Sequence, residues 1–297
     1  MTDYNTIIIG AGTAGLTAAI YTARKAQSVL VLESTGIGGQ ISTSPCVENY
    51  PGFESISGIE FSDKLYEQAQ KLGVVIEFEQ ASKIEALSDG TKCVYSDNNS
   101  IRRTCQKIII ATGVVHRHLA LEGEDTLSGI SYCAVCDGAF YKGKTVAVVG
   151  GGSSALQSTK LLAGLCSKVY LIHRRDSFRG EQRLADQIAA LPNVEFLLNK
   201  NVTKLIGNTA LSGIEITDKN TLKTDTVLLD GLFIYIGQIP QNDIFKDTVK
   251  LDESGYIIAG EDCKTNVDGI FAAGDCRTKT VRQLTTAAAD GSVCALA

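Results

Sequence analysis

The sequence repeats one succession of strand, glycine loop, helix and strand at a fixed spacing. In the first copy, an apolar run ends at Gly10, a helix continues to about Lys25, and a second apolar run ends at Glu33. In the second copy the corresponding runs end at Gly150 and His173, so both landmarks recur 140 residues later. Uninterrupted apolar strands joined through a helix are typical of parallel sheets, whose strands are buried on both faces. The repeat therefore predicts two βαβ units of the kind that binds nucleotides.

Two more apolar strands end in glycine turns, and they indicate how the two units are connected. One strand leads into Gly113, and the other leads into Gly274. If the last segment returns to complete the first sheet, the second unit is an insertion in the first domain. We therefore predict an α/β fold of two Rossmann-like domains, each with a three-layer ββα architecture. The first domain is predicted to comprise residues 1–114 and 245–297. The insertion is predicted to comprise residues 115–244.

Composition and charge exclude several classes of protein. The formal net charge of −5 offers no basic face for a nucleic acid. No apolar run approaches the roughly 20 residues that a membrane span needs. The first residues do not form the basic and apolar regions of a secretory signal, and nine cysteines in 297 residues do not resemble a small disulfide framework. We therefore predict a cytoplasmic protein with neither a nucleic-acid nor a membrane partner.

The first glycine loop has the composition of a dinucleotide-binding turn. Its glycines let the backbone approach a pyrophosphate, whose charge is received by the N-terminus of the following helix. Glu33, at the end of the next strand, is placed to accept hydrogen bonds from a ribose diol, which suits FAD or NAD. The cofactor-binding residues predicted here are Gly10, Gly12, Ala14, Gly15 and Glu33.

The second glycine loop is followed by basic residues instead of an acidic one. His173-Arg174-Arg175 occupies the position that Glu33 has in the first copy, and Arg179 follows closely. Arginine forks match phosphate oxygens bidentately, so this run predicts a clamp for a 2′-phosphate and selects NADP. A solvated basic turn is the alternative interpretation. The predicted NADPH-binding residues are Gly150, Gly152, Ser153, Ser154, His173, Arg174, Arg175 and Arg179.

Polar residues near the end of the sequence are further candidates for the first site. Asp275 closes an apolar strand and is either part of a simple turn or, if a flavin is bound, a partner for its ribityl hydroxyls or phosphates. Arg282 and Gln283 begin the final predicted helix. The N-terminal dipole of that helix would stabilise negative charge on a reduced flavin ring.

Cys133 and Cys136 form a C-x-x-C pair that Asp137 follows directly. No metal is predicted, because a structural zinc site needs four ligands and the sequence has no second pair at ligand spacing. Two inert core thiols are one alternative, and a redox dithiol is the other. In the redox interpretation, Asp137 is a general acid or base for the thiols, whereas it is otherwise a solvated turn residue. Hydride transfer from nicotinamide to flavin, then to a disulfide, would connect all three predicted sites.

Motifs that carry a family resemblance are spread over essentially the whole chain. They are Gly10-Ala11-Gly12-Thr13-Ala14-Gly15, Gly38-Gly39-Gln40, Val47-Glu48-Asn49-Tyr50-Pro51-Gly52, Ala111-Thr112-Gly113, Cys133-Ala134-Val135-Cys136-Asp137-Gly138, His173-Arg174-Arg175-Asp176-Ser177-Phe178-Arg179, Phe271-Ala272-Ala273-Gly274-Asp275 and Arg282-Gln283. Together they resemble the low-molecular-weight, bacterial-type thioredoxin reductases, which belong to class II of the pyridine nucleotide-disulfide oxidoreductases.

The resemblance implies a homodimer that contains FAD and uses NADPH to reduce the disulfide of thioredoxin. It implies that Cys136 faces the flavin, that Cys133 attacks the thioredoxin disulfide, and that Asp137 assists as the acid. The first domain would then bind FAD, and the inserted domain would bind NADPH and carry the dithiol. The FAD-binding residues implied in addition to the first loop are Gly39, Gln40, Asn49, Thr112, Gly113, Gly274, Asp275, Arg282 and Gln283.

Two other functions fit the same motifs. One is a related flavin dithiol oxidoreductase that acts on a different disulfide carrier, and the other is a non-enzymatic sensor that binds FAD and NADP. One departure from the family pattern lies in the second unit, where Gln157-Ser158 stands in place of the usual acidic residues.

Overall fold

In the computed structural model, which describes residues 2–44 and 46–297, the chain passes from one structural unit to another and back. The first unit contains the residues up to Val115 together with Ile239–Ala297, and the second is His116–Gln238. Across the described parts of the sequence, no helix combines the length and the apolar character needed to cross a bilayer.

The strands and helices are numbered here in chain order. The strands are β1 (Tyr4–Ile9), β2 (Val29–Leu32), β3 (Val75–Glu77), β4 (Ala81–Ala86), β5 (Lys92–Ser96), β6 (Ile101–Ile110), β7 (Val114–His116), β8 (Ile130–Ser131), β9 (Thr145–Gly150), β10 (Lys168–His173), β11 (Val194–Leu198), β12 (Lys200–Gly207), β13 (Leu211–Asp218), β14 (Thr224–Leu228), β15 (Gly231–Tyr235), β16 (Gln238–Pro240) and β17 (Ile270–Ala272). The α-helices are α1 (Thr13–Arg24), α2 (Gly58–Lys71), α3 (Ala134–Asp137), α4 (Ser153–Ala163), α5 (Gln182–Ala189) and α6 (Leu284–Leu296).

The sheet of the first unit is built around β6, which serves two different partners. The strand order is β3-β2-β1-β6-β5-β4, and β17 also pairs with β6. The first half of β6 pairs antiparallel with β5, whereas Ile108–Ile110 pairs parallel with β17. The last segment of the chain therefore returns to the first sheet, as the sequence predicted.

The register of this sheet brings four strand ends to one level. Ile9 lies opposite both Leu32 and Ile110, and Ile110 lies opposite Ala272. These apolar strands are buried on both faces, which explains why their sequences do not alternate. The carboxyl ends of β1, β2, β6 and β17 consequently share the edge at which open parallel sheets bind their ligands.

The second unit repeats this architecture. A parallel sheet has the order β11-β10-β9-β15-β8, and β12, β13 and β14 form a separate antiparallel sheet. Gly150, at the end of β9, lies opposite Tyr235, and Ser131 on β8 lies opposite Phe233. The predicted α/β class with two Rossmann-like units, one inserted in the other, matches this topology.

Helices α1 and α4 begin directly after the two glycine loops. Gly12 and Gly152 are their N-cap residues, and neither helix start is capped by a side chain. The first backbone N–H groups of a helix have no partner within it, and the helix dipole makes this end positive. Both units therefore present a helix N-terminus that suits an anionic group.

Candidate active site

Close backbone contacts shape the first glycine loop. Gly10 has a φ of +109°, and a Cβ atom there would overlap the carbonyl oxygen of Ala111. A Cβ atom at Gly15 would overlap the carbonyl oxygen of Gly10, so α1 packs directly on the loop. At Gly12 a Cβ atom would meet only the carbonyl oxygen of Gly38, at 3.7 Å. Two glycines thus hold the loop in place, and the third leaves its outer side open to a ligand.

The carboxylate of Glu33 joins the end of β2 to this loop. Glu33 is buried, and its Oε2 accepts a hydrogen bond from the backbone N–H of Ala11 at 2.6 Å. Its Oε1 accepts from the backbone of Thr35 at 2.8 Å and of Gly36 at 3.2 Å. Because each carboxylate oxygen has two lone pairs, Oε2 can accept another hydrogen bond. This geometry fits the predicted contact with a ribose hydroxyl.

Gly39 and Gln40 lie beside the same loop. A Cβ atom at Gly39 would be 3.6 Å from the Cα atom of Gly12. The side-chain amide of Gln40 donates a hydrogen bond to the backbone carbonyl of Val114, directly after Gly113. Gly113 turns the chain with a φ of +65°. The segment around residue 40 and the end of β6 therefore meet at the loop.

Asn49 and Gln283, which are 234 positions apart, also come together. The side-chain amide of Asn49 donates to Gln283 Oε1 at 3.2 Å. Gln283 is the N-cap of α6 and forms a reciprocal capping box with Thr286. The start of α6 therefore contacts the segment that precedes α2.

A buried carboxyl oxygen without a partner marks the end of β17. The Oδ1 atom of Asp275 is buried, and it has no hydrogen-bond partner among the residues described. Burial raises the pKa of Asp275, while Lys279 and Arg282 act to lower it. The guanidinium of Arg282 lies 4.4 Å from the ring centre of Tyr256. Because buried polar atoms are nearly always paired, Asp275 fits a ligand that bears hydroxyl groups.

Asn242 connects three backbone segments of this site, although sequence analysis did not identify it. The residue is buried, and its Oδ1 accepts from the hydroxyl of Thr112 at 3.1 Å. Its amide group donates to the carbonyls of Gly255 at 2.9 Å and Cys276 at 2.8 Å. Residues 239–244, assigned by sequence to the insertion, are thereby held in the first unit. The partners of Asn242 are distant in sequence, so no local pattern indicates its role.

A second unpredicted feature is a buried ionic network at the turn after β17. Asp290, on α6, accepts two hydrogen bonds from Arg277, at 2.9 and 2.8 Å, and one from Lys279 at 2.9 Å. It also accepts from the backbone N–H of Gly274 at 2.8 Å. Although burial acts to raise the pKa of Asp290, the hydrogen bonds from Arg277 and Lys279 lower it. The network fixes the Gly274 turn to the last helix.

The second glycine loop has the same division between packed and open positions. A Cβ atom at Gly150 would overlap the backbone of β15, whereas at Gly152 it would have no atom within 4 Å. Ala155 takes the third, tightly packed position and is fully buried. Ser153 and Ser154 lie exposed in the first turn of α4. The open side of this loop also fits a phosphate-bearing ligand.

His173 supports the second loop. A Cβ atom at Gly151 would overlap the imidazole ring, which stacks on Phe178 with a centroid distance of 5.5 Å. Burial lowers the pKa of His173, and the neighbouring arginines lower it further. Its Nε2 is buried and has no hydrogen-bond partner in the described part of the protein. The ring is therefore neutral near pH 7, with a nitrogen left available to a ligand.

Arg174, Arg175 and Arg179 lie beyond His173 with their side chains in solvent. None of the ion pairs between described residues includes these three guanidinium groups. The backbone N–H of Arg179 donates to the carbonyl of Gly151 at 2.7 Å, so the basic segment folds back onto the glycine loop. These guanidinium groups therefore remain available to an anionic ligand.

The two motif cysteines form a disulfide at the start of α3. Both residues are partly exposed. The Sγ atom of Cys133 accepts a hydrogen bond from the backbone N–H of Cys136 at 3.2 Å. The phenol oxygen of Tyr235, at the end of β15, accepts from the N–H of Ala134 at 2.6 Å. Because the Cys136 amide would also stabilise a thiolate, the geometry favours Cys133 as the nucleophile after reduction.

Asp137 has the environment of a proton donor. Its Oδ2 accepts a hydrogen bond from the hydroxyl of Ser131 at 2.7 Å. Its Oδ1 is buried and lacks a hydrogen-bond partner within the described sequence. Burial raises the pKa of Asp137, and the bond from Ser131 partly opposes this effect. A carboxyl whose pKa is raised stays protonated closer to neutral pH, as a general acid for a thiolate requires.

Comparisons with known proteins agree with this geometry. The family described as Pyridine nucleotide-disulphide oxidoreductase matches residues 4–291. A Bacillus subtilis (strain 168) protein named thioredoxin reductase is 41% identical over 300 residues, which cover 98% of this chain and 92% of that protein. The "34.2 kDa protein in rubredoxin operon" of Clostridium pasteurianum is 40% identical over 293 residues, covering 98% and 94%.

A solved structure shares the fold over nearly the whole length. It is the crystal structure of thioredoxin reductase from Streptococcus pyogenes MGAS5005. The similarity has a TM-score of 0.93 with 39% sequence identity, and it covers 99% of this chain and 96% of that chain. The agreement includes both βαβ units that the internal repeat predicted.

Proposed function

Because the chain belongs to the pyridine nucleotide-disulphide oxidoreductase family, we propose that it is an NADPH-dependent thioredoxin reductase that contains FAD. Electrons would pass from NADPH through FAD to the Cys133–Cys136 disulfide and then to the disulfide of thioredoxin. The observation that carries the proposal is this disulfide, which Asp137 directly follows. The backbone N–H groups of Cys133 and Ala134 donate to the hydroxyl groups of Ser131 and Tyr235, respectively. Relatives named thioredoxin reductase support the same substrate.

The first unit is proposed to hold FAD. The open side of the loop at Gly12 would bind the pyrophosphate, and Glu33 would accept a hydrogen bond from a ribose hydroxyl. Asp275 would accept a hydrogen bond from a hydroxyl of the ribityl chain, or it would lie near a phosphate that Arg282 binds. The remaining residues proposed for this site are Gly10, Ala14, Gly15, Gly39, Gln40, Asn49, Thr112, Gly113, Gly274 and Gln283.

The second unit is proposed to hold NADPH. The loop from Gly150 to Gly152, with Ser153 and Ser154, would bind the pyrophosphate at the N-terminus of α4. His173, Arg174, Arg175 and Arg179 would surround the 2′-phosphate, and this clamp is the support for NADPH over NADH.

Thiol–disulfide exchange follows from the residues around the dithiol. The chemistry that bound nicotinamide and flavin supply is a pair of electrons, which with two protons converts the Cys133–Cys136 disulfide into two thiols. The Cys133 thiol then loses its proton to solvent, and the thiolate attacks one sulfur of the substrate disulfide. The other substrate sulfur leaves as a thiolate that takes a proton from Asp137, and solvent reprotonates Asp137. The Cys136 thiol loses its proton to solvent and attacks Cys133 in the mixed disulfide, which re-forms the internal disulfide. The second substrate sulfur leaves as a thiolate that solvent protonates.

The test is NADPH oxidation by the FAD-loaded protein in the presence of oxidised thioredoxin. We expect multiple turnovers with the wild type, none with Cys133→Ser or Cys136→Ser, and a strong preference over NADH. A protein that holds FAD but does not oxidise NADPH with thioredoxin would contradict the proposal. Turnover with a small disulfide but not with thioredoxin would instead assign it to another carrier.

The assembly and location proposed for the protein are a homodimer in the cytoplasm. The dimer rests on the family resemblance, and the location rests on the cysteine usage, which does not resemble that of a small secreted disulfide framework. Light scattering of the FAD-loaded protein would give twice the mass of the 31.6 kDa chain. A monomer at micromolar concentration would contradict the dimer.

A further inference from the structure

Ser131 makes two contacts at the redox centre that the resemblance does not assign. Its hydroxyl donates to Oδ2 of Asp137 at 2.7 Å, and the same oxygen accepts from the backbone N–H of Cys133 at 3.0 Å. Within the described residues, this is the one hydrogen bond that the carboxyl group of Asp137 makes. Ser131 therefore connects the acid directly to the backbone of the attacking cysteine.

Ser131 is itself held rigidly. It is 4% exposed and ends β8, where it pairs in parallel register with the fully buried Phe233 of β15. The neighbouring strand β15 also carries Tyr235, which accepts a hydrogen bond from Ala134. The dithiol segment is thus anchored to one sheet edge on both sides of Cys133.

The hydroxyl of Ser131 has a second acceptor within reach. The backbone carbonyl of Cys133 lies 3.4 Å from its Oγ atom. A serine hydroxyl has one hydrogen and two lone pairs, so it donates to one acceptor at a time. When Asp137 is ionised, the hydrogen points to Oδ2. When Asp137 is protonated, its O–H can donate to Ser131 Oγ, and the serine hydrogen turns to the Cys133 carbonyl.

We propose that Ser131 is a positioning residue that keeps Asp137 aligned with the dithiol in both of its protonation states. The proposal rests on the disulfide reductase function given above. When Asp137 gives its proton to the departing substrate thiolate, the Ser131 hydrogen turns from the Cys133 carbonyl to Oδ2. Reprotonation of Asp137 from solvent reverses the change. The Asp137 O–H turns from Ser131 Oγ toward the thiolate as it gives its proton, and the proton count balances in each direction.

Among the groups that interact with the Asp137 carboxyl, Ser131 is the one that stabilises its ionised form. Burial raises the pKa of Asp137, and the Ser131 hydroxyl is the group that lowers it. Tyr141 and Tyr235 are the titratable side chains that interact with the carboxyl. Burial raises the pKa of both phenols, so both are neutral near pH 7. In the described residues no cation contributes to the titration of Asp137.

Three substitutions separate positioning from simple packing. Ser131→Ala and Ser131→Cys remove the hydroxyl at nearly constant volume, and Ser131→Thr keeps it. Ser167→Ala is the matched control, because Ser167 is exposed and donates to a backbone carbonyl elsewhere in the same unit. Asp137→Asn assigns the infrared signal: the carbonyl band of the protonated Asp137 carboxyl is the wild-type band that is missing from the spectrum of this variant.

The first readout is the infrared titration of that band in the oxidised, FAD-loaded protein, which requires no turnover. We expect Ser131→Ala and Ser131→Cys to move the midpoint upward by about one pH unit. Ser131→Thr and Ser167→Ala should keep the wild-type midpoint. An unchanged midpoint in the alanine and cysteine variants would overturn the proposal, whether or not thioredoxin is the substrate.

The second readout is the pH profile of kcat with oxidised thioredoxin and, in parallel, with a small aromatic disulfide. The two variants without a hydroxyl should lose about tenfold in kcat and show the same upward midpoint shift. NADPH-driven reduction of ferricyanide, which needs no dithiol, should not change. Equal losses with ferricyanide would show a general folding defect and overturn the positioning role. A wild type that reduces neither disulfide would contradict the proposed function, while the infrared result would still decide the role of Ser131.

Discussion

The backbone N–H of Ala11 donates a hydrogen bond of 2.6 Å to the carboxylate of Glu33, across the ends of two neighbouring parallel strands. The sequence indicated Glu33 as a partner for a ribose. The structure gives it a second task, since the same carboxylate orders the glycine loop and the turn at Thr35. In the proposed FAD site, cofactor binding and loop stability would therefore depend on one side chain.

Replacing Glu33 with alanine should weaken both FAD binding and the fold. The change leaves the buried N–H of Ala11 without an acceptor, which costs about 1–3 kcal/mol in the free energy of unfolding. Denaturant unfolding of the FAD-free protein and the FAD content after purification measure the two effects. Glu67→Ala, on the exposed face of α2, is the control and should change neither. Full FAD content in Glu33→Ala would show that Glu33 does not contact the cofactor.

The basic run in the second unit should decide between the two nicotinamide cofactors. Replacing both Arg174 and Arg175 with alanine should raise the KM for NADPH about 100-fold, because two charge-assisted contacts to the 2′-phosphate are lost. The KM for NADH and the kcat at saturation should stay near the wild-type values. Lys204→Ala removes a distant exposed charge of the same unit and should have no effect. Equal losses with both cofactors would mean that the clamp does not contact the 2′-phosphate.

Two glycine substitutions should separate nucleotide binding from folding. Gly152→Ala adds a methyl group where nothing lies within 4 Å, so stability should change by less than about 0.5 kcal/mol. The methyl group should nevertheless block the close approach of a pyrophosphate and raise the KM for NADPH at least about tenfold. Gly15→Ala places its methyl group against the carbonyl of Gly10 and should destabilise the first unit. Parallel thermal unfolding and NADPH titration check both expectations, and a stable Gly15→Ala would contradict the packing argument.

The buried network at Asp290 should make stability depend on acid. The pKa of Asp290 lies below its ordinary value of 3.8 in the folded protein. A carboxyl whose folded pKa is depressed contributes stability above its unfolded pKa and loses it as the pH falls through the folded value. The free energy of unfolding of the wild type should therefore decrease below about pH 4.

Asp290→Asn should remove this acid dependence and cost about 3–5 kcal/mol at pH 7, because Lys279 loses its counter-charge and the buried Arg277 keeps only the exposed Glu261, at 3.4 Å. Urea unfolding between pH 3 and pH 7, followed by a probe in the first unit, measures both effects. Lys71→Ala, whose ion pair with Glu67 is exposed, is the matched control. An acid dependence that persists unchanged in Asp290→Asn would assign it to other carboxylates.

The local sequence pattern was sufficient to identify the residues whose role depends on the backbone conformation of a few neighbouring residues. The glycines at positions 10, 12 and 15 could be identified because a tight turn, an open face and a close helix contact each require them within six residues. Glu33 and His173 could be identified because each ends the strand that follows a glycine loop. Cys133 and Cys136 were identifiable because a disulfide three residues apart is formed within one turn.

The amino-acid sequence by itself determined the two βαβ units, the insertion and the chemical character of each predicted site. Apolar run lengths, glycine spacing and charge are properties of contiguous residues, so they can be recognised in the sequence alone. Only the tertiary structure decided that Asn242 joins Thr112 to Cys276, that Asp290 neutralises Arg277, and that Ser131 holds Asp137. Those contacts arise when strand pairing and helix packing bring these residues together. Burial then shifts the pKa values of the ionisable side chains among them. Both effects depend on positions in space that spacing along the chain does not encode.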